Sequence, residues 1–172
     1  MTEVENKGVL ELLGDGDAFR DQLCTMIEGV PMFSELTRAN VQLLAGYVRG
    51  YRAKKDAIIF KEGSKGLFMC VVVTGRVDIL KEDQGHEQKK VATVRPGKSM
   101  GEMSLLDELP YSATAVARED TELLLITKHN FARLAEEHPQ LGNDLLRQIA
   151  RLMSLRLRQT TGILLDYLSA DS

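Results

Sequence analysis

The stretch from Gly101 to Ala113 contains the residues of this chain that are best suited to holding an anion. Gly101-Glu102 opens a short helical segment, and the start of a helix offers free backbone N–H donors and the positive end of its dipole. Gly101 lets a ligand approach the backbone closely, because glycine has no Cβ atom. The Ser112 hydroxyl and the Ala113 amide are two further donors. The pattern therefore predicts an anion-binding turn.

Two of these residues also have ordinary structural explanations. Glu102 could cap the first turn of the short helix, where the dipole favours a carboxylate. Ser112 could be a common turn serine. The residues by themselves leave both alternatives open for each position.

The composition excludes several classes of function. The 172 residues suit one domain plus an extra element, and with 44% hydrophobic and 27% charged residues the chain can bury a core and stay soluble. A net charge of -3 argues against nucleic-acid binding, which needs a basic excess. No apolar run approaches the roughly 18 residues of a membrane span, and the polar N-terminus does not look like a secretory signal. We therefore expect a cytoplasmic protein that binds neither nucleic acid nor membrane.

The titratable and sulfur-containing residues predict neither a metal site nor an enzyme. Cys24 and Cys70 are too far apart for a Cys-x-x-Cys pair, and we expect free, buried thiols. The three histidines share no metal-ligand spacing with one another or with a cysteine. Asp107 and Glu108 are adjacent acids of the kind that is usually solvated, and no catalytic constellation stands out.

The pattern of apolar residues predicts an α+β fold that is mainly β. Short β-branched runs alternate with glycine-bearing turns, which indicates an antiparallel sandwich or barrel. The expected strands are 47–52, 57–60, 67–73, 76–81, 90–94, 113–117 and 122–126. Thr74-Gly75 has the signature of a hairpin turn between two of them. Three shorter helices are also expected. The first is capped by Asp15 or Asp17 and ends near residue 28, and the third spans 128–137. The second lies near 37–45, is capped by Thr37 and turns Val41, Leu43 and Leu44 inward. Residues 9–13 form a weaker element, a docked turn or short helix.

A long amphipathic helix is predicted from about 139 to 168. Its apolar stripe includes Leu145, Ile149 and Leu152, whereas its arginines lie mostly off the stripe and read as a solvated face. A lone helix of this length needs a partner surface. We therefore expect a homodimer through this helix.

The order of elements and five landmarks resemble the cyclic-nucleotide-binding domain family, which includes the catabolite activator protein and the regulatory subunit of the cAMP-dependent protein kinase. The resemblance covers roughly residues 30–168. The landmarks are 57–63, Gly75, Gly97, Gly101-Glu102-Met103-Ser104-Leu105 and Pro110-x-x-Ala113-Thr114.

The resemblance implies a jelly-roll-like β-roll (a double-stranded β-helix) flanked by N-terminal helices and a long C-terminal helix. It implies an N-terminal extension at 1–29, the β-roll at 30–137 and a dimerisation helix at 138–172. It also implies that Glu102 accepts a hydrogen bond from the ribose 2′-hydroxyl of a cyclic nucleotide. The candidate ligand residues are Gly101, Glu102, Met103, Ser104, Tyr111, Ser112, Ala113 and Val91, with Arg156, or Thr160 and Thr161, reading the base.

Tyr111 departs from the family, which has an arginine at this position. Tyrosine donates only one neutral hydrogen bond. The alternatives for its side chain are stacking and filling the pocket. The first function that the resemblance implies is a dimeric sensor of cAMP or cGMP, without other cofactors, which signals to an unknown protein through its C-terminal helix. The alternatives are a degenerate protein-interaction module and a module for another ligand such as cyclic di-GMP. A transcription factor is not expected, because the sequence ends at Ser172 without a helix-turn-helix.

Overall fold

The computed structural model describes residues 9–170. The elements in chain order are β1 (Leu10–Leu12), α1 (Asp17–Glu28), a 3-10 turn (Pro31–Phe33), α2 (Arg38–Leu44), β2 (Arg49–Ala53), β3 (Ile58–Phe60), β4 (Phe68–Thr74), β5 (Val77–Glu82), β6 (Gln88–Val94), β7 (Ser99–Met100), α3 (Glu102–Asp107), β8 (Thr114–Ala117), β9 (Thr121–Thr127), α4 (Lys128–Glu137) and α5 (Pro139–Ala170).

Two antiparallel sheets form the β-roll. Within the described residues, one sheet has the order β1-β2-β9-β4-β7 and the other has the order β3-β8-β5-β6. The core lies between them, because its buried residues come from both sheets: Val72 and Leu123 from the first, and Ile59, Val77 and Ala117 from the second. Full burial of each large aliphatic side chain contributes about 1.5–3 kcal/mol. The predicted α+β fold, with antiparallel sheets and a long C-terminal helix, is confirmed, although helices hold more of the described residues than strands do.

The expected strands all occur, with ends within two residues of the predicted ones. The two-residue strand β7 was not predicted, because it is too short for an alternating pattern. Thr37 caps α2 as expected, since its side chain accepts a hydrogen bond from the Asn40 backbone N–H. Leu43 is exposed, so its inward assignment was wrong, whereas Val41 and Leu44 are buried.

The predicted β4–β5 hairpin was wrong. Both neighbours of β4 in its sheet are already other strands, β9 and β7, and β5 pairs with β8 and β6 in the second sheet. The turn at Gly75 therefore carries the chain from one sheet to the other. Gly75 has a φ of +84°, which favours glycine.

The N-terminal elements also differ from expectation. Residues Leu10–Leu12 form the edge strand β1, which pairs with β2 from Leu10 opposite Ala53 to Leu12 opposite Tyr51. The expectation of a docked turn or short helix was wrong, because a strand of three residues is too short to show an alternating hydrophobic pattern in the sequence. Neither aspartate caps α1: Gly16 precedes the helix, and Asp15 Oδ1 accepts a hydrogen bond from the Gly16 N–H.

The described chain divides into two compact units, of which the first ends at Arg133 and the second begins at Leu134. The predicted long helix is present as α5. Its apolar residues differ in exposure: Leu141, Leu145 and Ile149 are buried, Leu146 is exposed, Leu152 is half-buried, and a group further along is exposed. The exposed group is Leu155, Leu157, Ile163, Leu164, Leu165, Tyr167 and Leu168.

Further structural checks concern the described residues only. Cys24 and Cys70 are both free thiols, and Cys24 is only half-buried. Between residues 9 and 170, no group of three or more His, Cys, Asp and Glu side chains is arranged to hold a metal ion. In the same part of the chain, no helix has the length and apolar character needed to cross a bilayer.

Candidate functional site

Gly101 sets the backbone at the start of α3. It has a φ of +80°, in the left-handed region. A Cβ atom at this position would lie 3.0 Å from the Phe68 carbonyl oxygen and 3.2 Å from Tyr111 Cε1. Glycine is therefore required both for the turn and for the close packing of α3 on β4 and Tyr111.

Glu102 is a buried carboxylate at the first residue of α3. Its exposed fraction is 3%. The side chain interacts with its surroundings, although its Oε2 atom accepts no hydrogen bond within the described part of the chain. Burial raises the pKa of the nearby Cys70 thiol, and the negative charge of Glu102 raises it further. Taking a carboxylate out of water costs several kcal/mol unless charges or hydrogen bonds compensate, so the burial of Glu102 points to a specific role.

Ser112 and Ala113 lie at the other end of the stretch, just before β8. Ser112 is exposed and Ala113 is half-buried. The Ser112 carbonyl accepts a hydrogen bond from Lys81 Nζ at 2.7 Å, and Lys81 Nζ also donates to Glu62 Oε1 at 2.9 Å. The hydroxyl of Thr114, the first residue of β8, accepts from the Glu62 backbone N–H at 3.0 Å. These bonds hold the end of the stretch against β5 and the turn after β3.

Lys81 and Glu62 were missed by the sequence analysis. Strand alternation could have found Lys81, because Val77, Ile79 and Lys81 share one face of β5. The side chains of Val77 and Ile79 on that face pack in the core. The lysine at the next position of the same face lies where the core ends, with its side chain partly exposed. Glu62 carried no comparable signal.

Tyr111 belongs to the core rather than to an anion site. Its exposed fraction is 4%. The ring stacks on Phe60 with centroids 4.1 Å apart and meets Phe68 edge-on at 5.9 Å. Its hydroxyl donates to the Phe68 carbonyl at 2.8 Å and accepts from the backbone N–H groups of Leu67 and Phe68 at 3.3 and 3.2 Å.

The Tyr111 hydroxyl is thus occupied by the backbone of β4 and of the residue before it. Burial raises the pKa of Tyr111 to about 12, so the hydroxyl stays protonated at neutral pH. The sequence analysis placed Tyr111 among the ligand-contacting residues. The structure places its side chain in a buried slot between aromatic neighbours on β3 and β4, and a contact of Tyr111 with a ligand stays a prediction.

The remaining candidates are spread over both units. Ser104 is buried on α3 and Met103 is exposed. Val91 is exposed and is the extra residue of a β-bulge in β6. Its neighbours Ala92 and Lys90 pair with the successive β5 residues Ile79 and Leu80. Arg156 and Thr160 lie on α5 in the second unit. Their contribution to a site stays a prediction. The Thr161 hydroxyl donates to the Leu157 carbonyl within the helix.

The family model described as cyclic nucleotide-binding domain matches residues 52–138, which is just over half of the chain. The chain belongs to the cyclic nucleotide-binding domain family. The matched range contains β3 to β9, α3 and the whole stretch from Gly101 to Ala113. This stretch is hereafter called the cassette, after the family's phosphate-binding cassette that it resembles.

Relatives of this cyclic nucleotide-binding domain include a cyclic AMP receptor protein, regulatory subunits of cAMP-dependent protein kinase and fungal lysophospholipases. The chain is 34% identical over 145 residues to the cyclic AMP receptor protein of Thermus thermophilus. The alignment covers 84% of this chain and 65% of that protein. It is 28% identical over 128 residues to the cAMP-dependent protein kinase regulatory subunit of Candida albicans, which covers 72% of this chain and 27% of that protein. The chain thus spans less than two thirds of each of these two relatives.

A solved structure resembles the chain over almost its full length. The cyclic nucleotide-binding domain from Methylobacillus flagellatus KT superposes with a TM-score of 0.83 at 25% identity and covers 97% of this chain and 96% of that one.

Proposed function

We propose that this domain is a regulatory module that binds cAMP or cGMP at the cassette. The observation that carries the proposal is the burial of the Glu102 carboxylate at the first residue of α3, directly after the left-handed Gly101. This is the position at which the family's cassette has the carboxylate that accepts from the ribose 2′-hydroxyl. A buried carboxylate is a strong acceptor for a hydroxyl donor, because little water competes for it.

The cyclic phosphate is proposed to lie between the start of α3 and the Ser112 end of the cassette. Backbone N–H groups, the Ser112 hydroxyl and the helix dipole supply the donors there. Tyr111 adds no charge, since its hydroxyl stays protonated at neutral pH, and that hydroxyl is bound to the backbone at Phe68. Loss of the charge-assisted bond that an arginine would make costs roughly 1.5–3 kcal/mol, so we expect affinity about tenfold to a hundredfold weaker than with arginine.

The proposal is tested by calorimetric titration of the natural chain and two variants with cAMP, cGMP and cyclic di-GMP. Glu102→Gln keeps the size of the side chain and removes its charge, and we expect it to weaken binding of the preferred cyclic mononucleotide by roughly tenfold or more. Glu108→Gln is the matched control. It lies on the same segment, but its side chain is 71% exposed and bonds to Lys128 at 2.7 Å, so affinity should stay within about twofold.

Equal losses in the two variants would contradict a ligand role for Glu102. Binding of cyclic di-GMP alone would show that the ligand is a cyclic dinucleotide and would contradict the proposal of cAMP or cGMP. A natural chain that binds none of the three at millimolar concentration, while its circular dichroism shows a folded protein, would rule the sensor proposal out.

The second candidate function is a protein-interaction module that keeps the fold without binding a nucleotide. The observation that favours it is the Tyr111 side chain, whose aromatic packing and backbone bonds strengthen the fold and leave position 111 without a cation for phosphate. The titration separates the candidates, because only the sensor requires a saturable nucleotide site that depends on Glu102.

We further propose that the domain is a homodimer through the exposed apolar residues of α5. Because Leu145 and Ile149 are buried within the single chain, the seam is expected further along, from Leu155 onward. Leu157→Glu should convert the dimer into a monomer, since it places a charge in an apolar seam. Asn143→Asp adds the same charge to an exposed position of the same helix, well before the expected seam, and should remain a dimer. Light scattering measures both, and a monomeric natural chain at tens of micromolar would contradict the proposal.

A further inference from the structure

We propose that Lys81 supplies the positive charge for the ligand's phosphate at the Ser112 end of the cassette, in place of the arginine that position 111 lacks. This inference rests on the proposed function, because it concerns the same site. It adds a residue outside the cassette, on strand β5, as a determinant of affinity for the anion.

The contact of Lys81 with the cassette is direct. Its Nζ lies 2.7 Å from the Ser112 carbonyl oxygen, and Ser112 and Ala113 are the donors proposed for the phosphate. The bond crosses 31 positions of sequence and is made by the antiparallel pairing of β5 with β8, in which Leu80 lies opposite Thr114. The ammonium group is therefore held beside the backbone that is proposed to bind the anion.

Lys81 lies on the face of β5 that is directed toward the core, one position beyond Ile79 on that face. Val77 pairs with Ala117 and Ile79 with Ala115 along β8, and these four residues belong to or pack against the core. Alternation along the strand puts Lys81 on the same face. Its side chain is nevertheless 53% exposed, so the ammonium group can reach a ligand that enters from solvent.

Other lysines of the same strand pair are directed elsewhere. Lys89, directly opposite Lys81 on β6, bonds to Asp83 and Glu87 in the β5–β6 turn region. Lys90 lies 4.0 Å from Asp78, whose carboxylate also binds Arg118. Lys81 differs from both because one of its bonds ends on the cassette backbone.

Glu62 holds the Lys81 charge in place. Its Oε1 lies 2.9 Å from Lys81 Nζ, and its Oε2 accepts from the Glu82 backbone N–H at 3.0 Å. The hydrogen bond from Lys81, followed by the one from Glu82, lowers the pKa of Glu62, so this carboxylate is ionised at neutral pH. An exposed ion pair of this kind is weak, and a phosphate can share or replace it at small cost.

The inference is tested by titrating cAMP into the natural chain and four variants at low and at physiological salt. Lys81→Met removes the charge and should weaken binding roughly threefold to tenfold, with a smaller salt dependence than that of the natural chain. Lys81→Arg keeps the charge and should bind within about twofold of the natural chain. Glu62→Gln removes the competing carboxylate and should tighten binding roughly twofold to fivefold. Lys90→Met removes a lysine of the neighbouring strand that does not contact the cassette, and it should leave the affinity unchanged.

The outcomes separate this inference from the proposed function. If the natural chain binds cAMP and Lys81→Met binds as well as Lys90→Met, Lys81 has no such role and the proposed function stands. If the natural chain binds no cyclic nucleotide, both fall together. If Lys81→Met melts at a much lower temperature, Lys81→Gln takes its place, because glutamine can still donate to the Ser112 carbonyl without carrying charge. Natural affinity in Lys81→Gln would then overturn the inference.

Discussion

Tyr111→Arg is expected to tighten cAMP binding by roughly tenfold or more and to lower the free energy of unfolding by about 3 kcal/mol. Binding improves because a guanidinium can form a charge-assisted pair with the phosphate. Stability falls because the ring that stacks 4.1 Å from Phe60 is lost, together with its hydroxyl bonds to the backbone at Leu67 and Phe68. Calorimetric titration measures the first effect, and urea denaturation followed by circular dichroism measures the second.

Tyr111→Leu is the matched control for this exchange of stability for affinity. It removes the same ring and hydroxyl without adding a charge, so it should lose a similar amount of stability and gain no affinity. A folded Tyr111→Arg protein that binds cAMP no better than the natural chain would show that the anion site is not where the cassette predicts it. An unchanged urea midpoint would instead contradict the core role of the Tyr111 side chain.

Gly75→Ala is expected to lower the free energy of unfolding by about 3 kcal/mol or more. The backbone at Gly75 has a φ of +84°, and a Cβ atom there would lie 2.5 Å from Thr121 Oγ1, 2.7 Å from the Asp120 carbonyl oxygen and 2.8 Å from Thr121 Cα. The left-handed conformation costs an alanine about 1–2 kcal/mol, and overpacking against backbone adds roughly 1–3 kcal/mol. Urea denaturation of the variant measures the loss.

Gly63→Ala separates the two contributions. Gly63 has a φ of +76°, but a Cβ atom there would meet nothing within 4 Å. The variant should therefore lose only the conformational part, about 1–2 kcal/mol. Equal losses of stability in the two variants would mean that the turn between the sheets relaxes around the methyl group added at position 75. Such a result would contradict the close packing of Gly75 on Thr121.

The features of this protein that its sequence determined by itself are local. Strands β2 to β6, β8 and β9 follow from alternating β-branched runs, and α5 from a helical apolar period, because both patterns repeat within a few residues. The Thr37 cap is equally local, since its bond reaches only to Asn40. The cassette could be located because its glycine, acid and proline landmarks occur at a spacing shared with a known family.

Only the tertiary structure decided where distant residues meet. The Tyr111 hydroxyl bonds to a backbone 43 positions away, and Lys81 reaches Ser112 across 31 positions. The residues next to Tyr111 do not reveal its bond, and alternation along β5 places Lys81 on the core face without showing that its side chain meets Ser112. Position 111 was therefore predicted as a ligand contact, and Lys81 was not predicted. The Gly75 turn was mistaken for a hairpin for the same reason, because the neighbours of β4 are β9 and β7. Side-chain direction and strand partners depend on which surfaces the closed sheets bring together, and that becomes defined only when the chain has folded.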